Sequence, residues 1–268
     1  MVDKPIRVVT HRRWLSELFE PYGGVHDFGF DIEPSRADDA YWWAPGEWVA
    51  RAHAAGVRLP LLSAGQRWLA HPELRRFTSR DVYVGTPAEV VSWSIGKSLV
   101  HIKLPEAKTD KFPATLVMGD AVSLALDNPL ITQTTLIQVS DVLKLRGEVR
   151  CFIADKKVVS QSWYRNGEQW FGQEEYRHGP EADMSAMRDF AQAVVEAVRC
   201  PPGFVLDIGM TQDGECVAIE ANASWSSNPY DADMRGVVAS LKAAHGVDPE
   251  WEFDVNAIPG KHVPLKLA

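Results

Sequence analysis

Residues 204–222 read FVLDIGMTQDGECVAIEAN, and this stretch decides the fold. It follows Pro201-Pro202-Gly203, a run that ends any preceding helix because proline lacks the helical hydrogen-bond donor. Within it, Asp213-Gly214 separates two apolar runs. This pattern predicts a β-hairpin with a two-residue type I′ turn, which needs positive φ at both central residues.

The predicted turn fixes the register of the hairpin. It places Gln212 opposite Glu215, and counting back along both strands then places Asp207 opposite Glu220. Side chains alternate between the two faces of a β-ribbon, so each face can be described separately. The apolar face is predicted to hold Leu206, Ile208, Met210, Val217, Ile219 and Ala221. The other face is predicted to hold Val205, Asp207, Gly209, Cys216, Ala218, Glu220 and Asn222.

Two carboxylates and an amide therefore share one face of the hairpin. Directly opposite side chains have Cβ atoms about 5 Å apart, and like charges there repel, so Asp207 and Glu220 favour a bound cation. Oxygen ligands in a short set, which leaves positions for phosphate and water, are typical of Mg²⁺ at phosphoryl-transfer sites. We therefore expect Asp207, Glu220 and Asn222 to bind Mg²⁺ that serves ATP. The alternative is a surface hairpin with both acids in solvent.

Bulk properties narrow the class of protein. The chain has 268 residues and a formal net charge of −8, which argues against nucleic acid or an anionic membrane as the main partner. Its three cysteines form no CxxC pair, which favours a reducing compartment. The N-terminus carries acid and base where a signal peptide has an apolar run. We expect a cytoplasmic protein; a homodimer is compatible with the sequence.

The order of patterns predicts an α+β fold. Residues 1–85 read as a small α/β N-terminal domain, residues 86–250 as a second domain, and residues 251–268 as a tail. In the second domain, β-branched runs occur in pairs with few crossover helices, which favours antiparallel sheet. Its best helix covers Asp183–Arg199, with Asp183 as the predicted cap. A further helix is predicted over Ala64–Ala70.

The hairpin resembles the metal-binding hairpin of the ATP-grasp superfamily, in which one strand ends in an acid and the next in acid-x-Asn. The resemblance covers roughly residues 82–233 and implies two β-rich lobes, over about residues 98–139 and 144–250, that close on ATP. By the same resemblance, Lys103 contacts the nucleotide phosphates and Glu148 lies on the ribose side. The hinge Ile137–Leu143 would hold the adenine edge through Asp141, Val142 and Leu143.

One segment departs from standard members of this superfamily. They carry a flexible Gly-rich loop after the first lysine, whereas residues 103–114 read KLPEAKTDKFPA, without glycine. The segment looks more like a compact ATP-grasp clade in which a second lysine follows the first. On that basis Lys111 is assigned to the phosphates, and Lys108 and Lys97 are expected to be solvated surface residues.

Arg150 and the residues after the hairpin complete the predicted site. Arg150 shares a strand face with Glu148; it either neutralises the transferred phosphoryl group, as a catalytic residue with Lys111, or forms an ion pair with Glu148 on the sheet surface. Asn228 and Tyr230 follow the metal-binding strand and are predicted substrate contacts. His101 shares a face with Lys103, but a packed or surface histidine is the favoured interpretation.

The resemblance implies an ATP- and Mg²⁺-dependent carboxylate–amine ligase. A carboxylate of a small molecule or peptide would attack the γ-phosphorus, and an amine would displace phosphate from the acyl phosphate. Two alternatives stay open. One is a phosphotransferase on the same scaffold, and the other is a non-catalytic nucleotide-binding protein.

Overall fold

The computed structural model describes residues 4–268. The helices are α1 Arg13–Glu17, α2 Gly46–Ala54, α3 Arg75–Thr78, α4 Pro87–Ser94, α5 Val122–Ala125, α6 Glu181–Ala197 and α7 Met234–Ala243. The strands are β1 Ile6–Val9, β2 Gly24–Asp27, β3 Asp31–Ile32, β4 Tyr41–Trp43, β5 Val82–Gly85, β6 Val100–Lys103, β7 Thr115–Val117, β8 Ile137–Ser140, β9 Leu145–Ala154, β10 Lys157–Asn166, β11 Gln169–Trp170, β12 Gly203–Thr211, β13 Cys216–Asn222 and β14 Lys266–Leu267.

The N-terminal part is a small parallel sheet that shares its core with the C-terminal part of the chain. Its strand order is β2-β1-β4, with both pairings parallel. Strand β14 of the tail pairs with β3, so the tail returns to this region. The buried core here joins Trp42 and Val8 to Trp225 and to Leu241 of α7. The N-terminal part is therefore packed onto the second domain and shares one hydrophobic core with it.

The smaller lobe is a four-stranded antiparallel sheet in the order β5-β8-β6-β7. Strand β5 belongs to it, although the predicted N-terminal domain runs to residue 85. Helix α4 packs on this sheet and begins with a capping box between Thr86 and Glu89. That Thr-Pro-Ala-Glu signal is present in the sequence, and our sequence analysis missed the helix.

The larger lobe is a five-stranded antiparallel sheet in the order β11-β10-β9-β12-β13. Met187, Ala191 and Val194 of α6 pack on one of its faces. Helix α7 packs close to the strands, since a Cβ on Gly236 would lie 2.3 Å from the carbonyl oxygen of Val159. Together with the four-stranded sheet, this arrangement confirms the α+β class with antiparallel sheets.

The hairpin of β12 and β13 has a different turn from the predicted one. Thr211 N donates to Glu215 O at 2.9 Å and Gly214 N donates to Thr211 O at 3.1 Å, so the loop has three residues. Of Asp213 and Gly214, only Gly214 has a positive φ, 85°. The predicted two-residue turn is therefore wrong. A three-residue loop with glycine in the left-handed conformation is the next most common hairpin connection.

A β-bulge restores the predicted pairing of the two acids. Asp207 pairs with Glu220, but Ile208 pairs with Ala218, so Ile219 is an extra residue on β13. The assignment of faces is consequently wrong near the turn. Ala218 lies in the core and Ile219 lines a cleft, which reverses the prediction for both residues.

Two helix predictions also need correction. Pro180 is the N-cap of α6, and Asp183 instead pairs with Arg146 at 2.9 Å, so it is not the cap. The predicted helix over Ala64–Ala70 is reduced to a single 3₁₀ turn, Trp68–Ala70. Across residues 4–268, none of the helices combines the length and apolarity needed to cross a bilayer.

Candidate active site

A cleft of about 870 Å³ lies between the four-stranded and five-stranded sheets. Both lobes contribute charged side chains to its walls. Those charged lining residues are Arg80, Lys103, Lys108, Asp110, Asp141, Glu148, Arg150, Arg165, Asp207 and Glu220. The cleft therefore gathers most of the predicted site residues in one place.

Asp207 lies on the floor of the cleft and is 1% exposed. Arg150 on the neighbouring strand β9 donates to both of its oxygens, at 2.9 and 2.8 Å, and Asn222 donates its Nδ2 at 2.9 Å. Burial alone would lower the pKa of Arg150, but Asp207 outweighs it and raises that pKa above its ordinary value. Arg150 and Asp207 therefore form a buried, bidentate ion pair within one sheet.

Glu220 is neutralised from the opposite lobe. Lys103 of β6 donates to its Oε1, and Lys108 Nζ lies 3.5 Å from its Oε2. Burial would raise the pKa of Glu220, but Lys103 and then Lys108 outweigh it and hold that pKa below its ordinary value. The Glu220 carboxylate thus connects the two sides of the cleft.

The donor set fits a hard cation that is shared with phosphate. Within residues 4–268, no group of three or more His, Cys, Asp or Glu side chains is placed to hold a metal ion. Two carboxylates and one amide do converge, however, because Asp207 and Glu220 are paired across the strands and Asn222 contacts Asp207. Since Asn222 uses its Nδ2 on Asp207, its Oδ1 remains as an acceptor for a cation.

The predicted hinge follows β8 and lines the cleft with Asp141, Val142 and Leu143. Asp141 accepts from Asp81 N at 3.1 Å and from Lys97 Nζ at 2.7 Å. Lys97 also lies 3.9 Å from the Trp93 ring centroid, so the prediction of a solvated surface lysine at this position is wrong. Its ion pair fixes the segment that enters the larger lobe.

Glu148 is buried and lies beside Arg150 on β9, yet the two do not pair with each other. Glu148 accepts from the Tyr164 hydroxyl and from Arg165 Nη1. Because Arg150 binds Asp207, the mutual ion pair that we considered for Glu148 and Arg150 is absent, and Arg150 faces the cleft.

The second lysine is placed differently from the prediction. Lys111 is exposed, is not among the cleft-lining residues, and its backbone oxygen accepts from Asn128. Lys108 instead lines the cleft near Glu220. Its side chain is 67% exposed, so Lys108 keeps the mobility of a surface lysine while reaching the site.

Tyr230 lines the cleft, and Asn228 supports it from the side. The Asn228 backbone oxygen accepts from Arg150 Nη1 at 3.3 Å, and its Oδ1 accepts from Tyr230 N at 3.0 Å. Tyr230 lies under the Arg150 guanidinium, 5.2 Å from ring centroid to Cζ. The structure therefore brings both predicted substrate contacts to the ion pair on the floor.

Arg80 is a cleft residue that the sequence analysis missed. It donates to the carbonyl oxygens of Ala218 at 3.1 Å and Ile219 at 3.3 Å, the two residues of the bulge. Burial lowers its pKa to about 10. Nothing in its local sequence signals this contact, because the bulge that presents the carbonyls was itself unrecognised.

His101 also lines the cleft, although a packed or surface histidine was the favoured interpretation. Burial, followed by the charges of Lys103 and Arg80, lowers its pKa to about 4. The imidazole is therefore neutral near pH 7 and leaves the charge balance of the cleft to the acids, lysines and arginines.

A family model of the ATP-grasp domain, the second family of one of its clades, matches residues 77–239, which is more than half of the chain. The chain belongs to the ATP-grasp superfamily. This confirms the resemblance and supports, at the level of the family, ATP-dependent carboxylate–amine ligation. No curated protein matches the chain significantly.

Solved structures with the same fold share little sequence with this ATP-grasp chain. The D-cycloserine synthetase DcsG has a TM-score of 0.56 at 12% identity, over 90% of this chain and 98% of that one. A RimK domain ATP-grasp protein from Sphaerobacter thermophilus has a TM-score of 0.51 at 18% identity, over 89% and 98%. An N5-carboxyaminoimidazole synthase from Aspergillus clavatus, solved with ADP, has a TM-score of 0.50 at 12% identity, over 99% and 80%. These likenesses show the fold.

Proposed function

We propose that this protein is an ATP- and Mg²⁺-dependent ligase that joins a carboxylate to an amine through an acyl phosphate. The observation that carries the proposal is the meeting of two oppositely built acid sites in one cleft. Asp207 is neutralised within the larger lobe, and Glu220 is neutralised by lysines of the smaller lobe. A polyphosphate bound between the lobes would take over the lysines and leave Glu220 to a cation.

The residues divide the work by position. Glu220, Asp207 and the Oδ1 of Asn222 would hold Mg²⁺, which when bound neutralises phosphate charge. Lys103 and Lys108 would contact phosphate oxygens, and Asp141 to Leu143 would hold the adenine edge, with Glu148 on the ribose side. The Arg150 guanidinium, fixed by Asp207, would stabilise charge on the transferred phosphoryl group.

The reaction then needs little protein acid–base chemistry. A carboxylate oxygen of the substrate attacks the γ-phosphorus and ADP leaves, giving an acyl phosphate. The amine attacks the acyl carbon, loses a proton, and releases inorganic phosphate. The protein contributes positioning and charge neutralisation, which fits a site whose one histidine, His101, has a low pKa.

The second phosphate lysine is Lys108 in this proposal, in place of the Lys111 assignment made from the sequence. Lys108 already lies 3.5 Å from Glu220, whereas Lys111 is exposed outside the cleft lining. Closure of the segment over bound phosphates would need only a shift of the mobile Lys108 side chain.

A substrate screen tests this function. Amino acids and small carboxylic acids are incubated with MgATP and hydroxylamine, and ADP, free phosphate and hydroxamate are measured. Hydroxylamine serves as a general amine because it attacks acyl phosphates. The proposal predicts that one class of acid gives all three products and that Asp207→Asn abolishes them.

Two results would contradict the ligase. ADP formed with phosphate retained on the product, and no hydroxamate, would indicate a phosphotransferase. Tight ATP binding without ADP release for any acid or amine would indicate a nucleotide-binding protein without turnover. ADP release that is unaffected by Asp207→Asn would contradict the role given to the floor of the cleft.

A further inference from the structure

One wall of the cleft is built from aromatic rings that the ATP chemistry does not use. Tyr164 and Tyr230 are stacked, with ring centroids 5.5 Å apart and planes 14° apart. Trp170 continues the row, 6.1 Å from Tyr164. We call Tyr164, Trp170 and Tyr230 the ring wall; all three line the cleft. The ring wall belongs to β10, β11 and the segment after β13, away from the hinge.

The ring wall has features that core packing does not require. Trp170 is 48% exposed, so much of its ring is free at the cleft. Tyr230 has a φ of 51°, a left-handed conformation that is uncommon for a tyrosine and is held here by its neighbours. Such backbone conformations occur preferentially at binding sites, where they aim a side chain.

A guanidinium lies at each end of the ring wall. Arg150 is 5.5 Å from the Tyr164 ring centroid and 5.2 Å from that of Tyr230. At the other end, Arg165 is 5.4 Å from the Trp170 ring centroid. Flat apolar surface bounded by fixed positive charge suits an anion that carries a planar group, because rings favour offset stacking on rings.

We propose that the ring wall binds the carboxylate substrate through an aromatic ring, so that the acid is an aromatic amino acid or another aryl-bearing carboxylic acid. This inference rests on the proposed function. The substrate ring would stack on Trp170 and Tyr164, and its carboxylate would point towards Arg150, where the phosphoryl group is transferred. Tyr230 closes the subsite from the segment that follows the metal-binding strand.

Matched substrates and matched variants test the ring wall. ADP release with MgATP and hydroxylamine is compared for phenylalanine, cyclohexylalanine and leucine, which separates the ring's π-system from its apolar area. Trp170→Leu is compared with Trp14→Leu, because Trp14 is also 48% exposed but is not among the cleft-lining residues. We expect phenylalanine to be preferred, and Trp170→Leu to raise its KM about tenfold without changing the KM for ATP.

A binding experiment separates this inference from the ligase proposal. Saturation-transfer NMR with phenylalanine and a non-hydrolysable ATP analogue reports binding without turnover. Signal that is lost in Trp170→Leu and kept in Trp14→Leu supports the ring wall, even if no acid gives ADP. Equal use of leucine and phenylalanine, or a KM for phenylalanine that Trp170→Leu leaves unchanged, overturns the inference while the ligase stands. Absence of both binding and turnover for aromatic acids also overturns it.

Discussion

The two acids of the hairpin face each other but are neutralised in different ways. Asp207 pairs with Arg150 inside one sheet, where both side chains are at most 4% exposed. Glu220 pairs with Lys103 and Lys108 across the cleft, and Lys108 is largely exposed. The first pair is part of the larger lobe's packing, and the second depends on how the lobes meet. We infer that Asp207 contributes more to stability and Glu220 more to ligand exchange.

Replacing Asp207 should have the largest effect on stability. Asp207→Ala leaves the Arg150 guanidinium buried without its partner, and such losses cost about 3–5 kcal/mol in the free energy of unfolding. Denaturant unfolding measures this. The double variant Arg150→Met, Asp207→Leu should recover most of the stability, because similar-sized apolar side chains remove both buried charges. A loss below about 1 kcal/mol for Asp207→Ala would contradict the comparison.

Replacing Glu220 should mainly reduce activity. Glu220→Gln removes the charge that a cation needs, and we expect kcat to fall by at least about 100-fold while the free energy of unfolding changes much less than for Asp207→Ala. Glu215→Gln changes an exposed acid of the same hairpin and is the control. Equal activity in both variants would contradict the role of Glu220.

Glu106, on the loop between the two lysines, gives a pH test of the cross-cleft side. Burial raises the pKa of Glu106 to about 7, its Oε1 accepts from Gly65 N at 3.3 Å, and its Oε2 accepts no hydrogen bond within residues 4–268. The folded protein thus holds a proton that the unfolded chain releases at lower pH. Stability should fall as pH rises from about 4.5 to about 7, by roughly 1–3 kcal/mol.

Glu106→Gln should remove this dependence. The variant should be more stable than the wild type at pH 8 and equal to it at pH 4.5, as measured by denaturant unfolding at both pH values. Asp254, which also faces Glu106, is unchanged and keeps the surrounding charge the same. A wild type whose stability does not decrease between pH 5 and 8 relative to Glu106→Gln would contradict the assignment.

The two candidate lysines should give the smallest effect. Lys108→Ala should raise the KM for ATP about threefold to fivefold, and less at high salt, because an exposed lysine contributes a screened charge. Lys111→Ala should leave the KM nearly unchanged. The reverse order would restore the assignment made from the sequence.

The hairpin shows how far the sequence could predict the site. The pairing of Asp207 with Glu220 was predicted correctly, but through two errors that cancel. The loop contains Gln212 in addition to Asp213-Gly214, and the bulge at Ile219 compensates for that extra residue. Local turn signals do not reveal a bulge, because Arg80 binds its carbonyls from a distant part of the chain.

The lobes and the ring wall mark the same limit. Alternating apolar runs sufficed for both antiparallel sheets, and the acid-x-Asn ending sufficed for the family. Which lysine reaches Glu220 depends on the path of a loop without regular structure, and so Lys111 was chosen before Lys108. The stacking of Tyr164 on Tyr230 joins residues that are far apart in the chain and carry no local pattern.

Metal binding in the presence of nucleotide tests the central claim most directly. Mn²⁺ replaces Mg²⁺, and its binding is followed by electron paramagnetic resonance with a non-hydrolysable ATP analogue. The wild type should bind Mn²⁺ with the nucleotide, and Glu220→Gln should bind it at least about tenfold more weakly while Glu215→Gln matches the wild type. Wild-type affinity in Glu220→Gln would contradict the assignment of this cleft as a metal–nucleotide site.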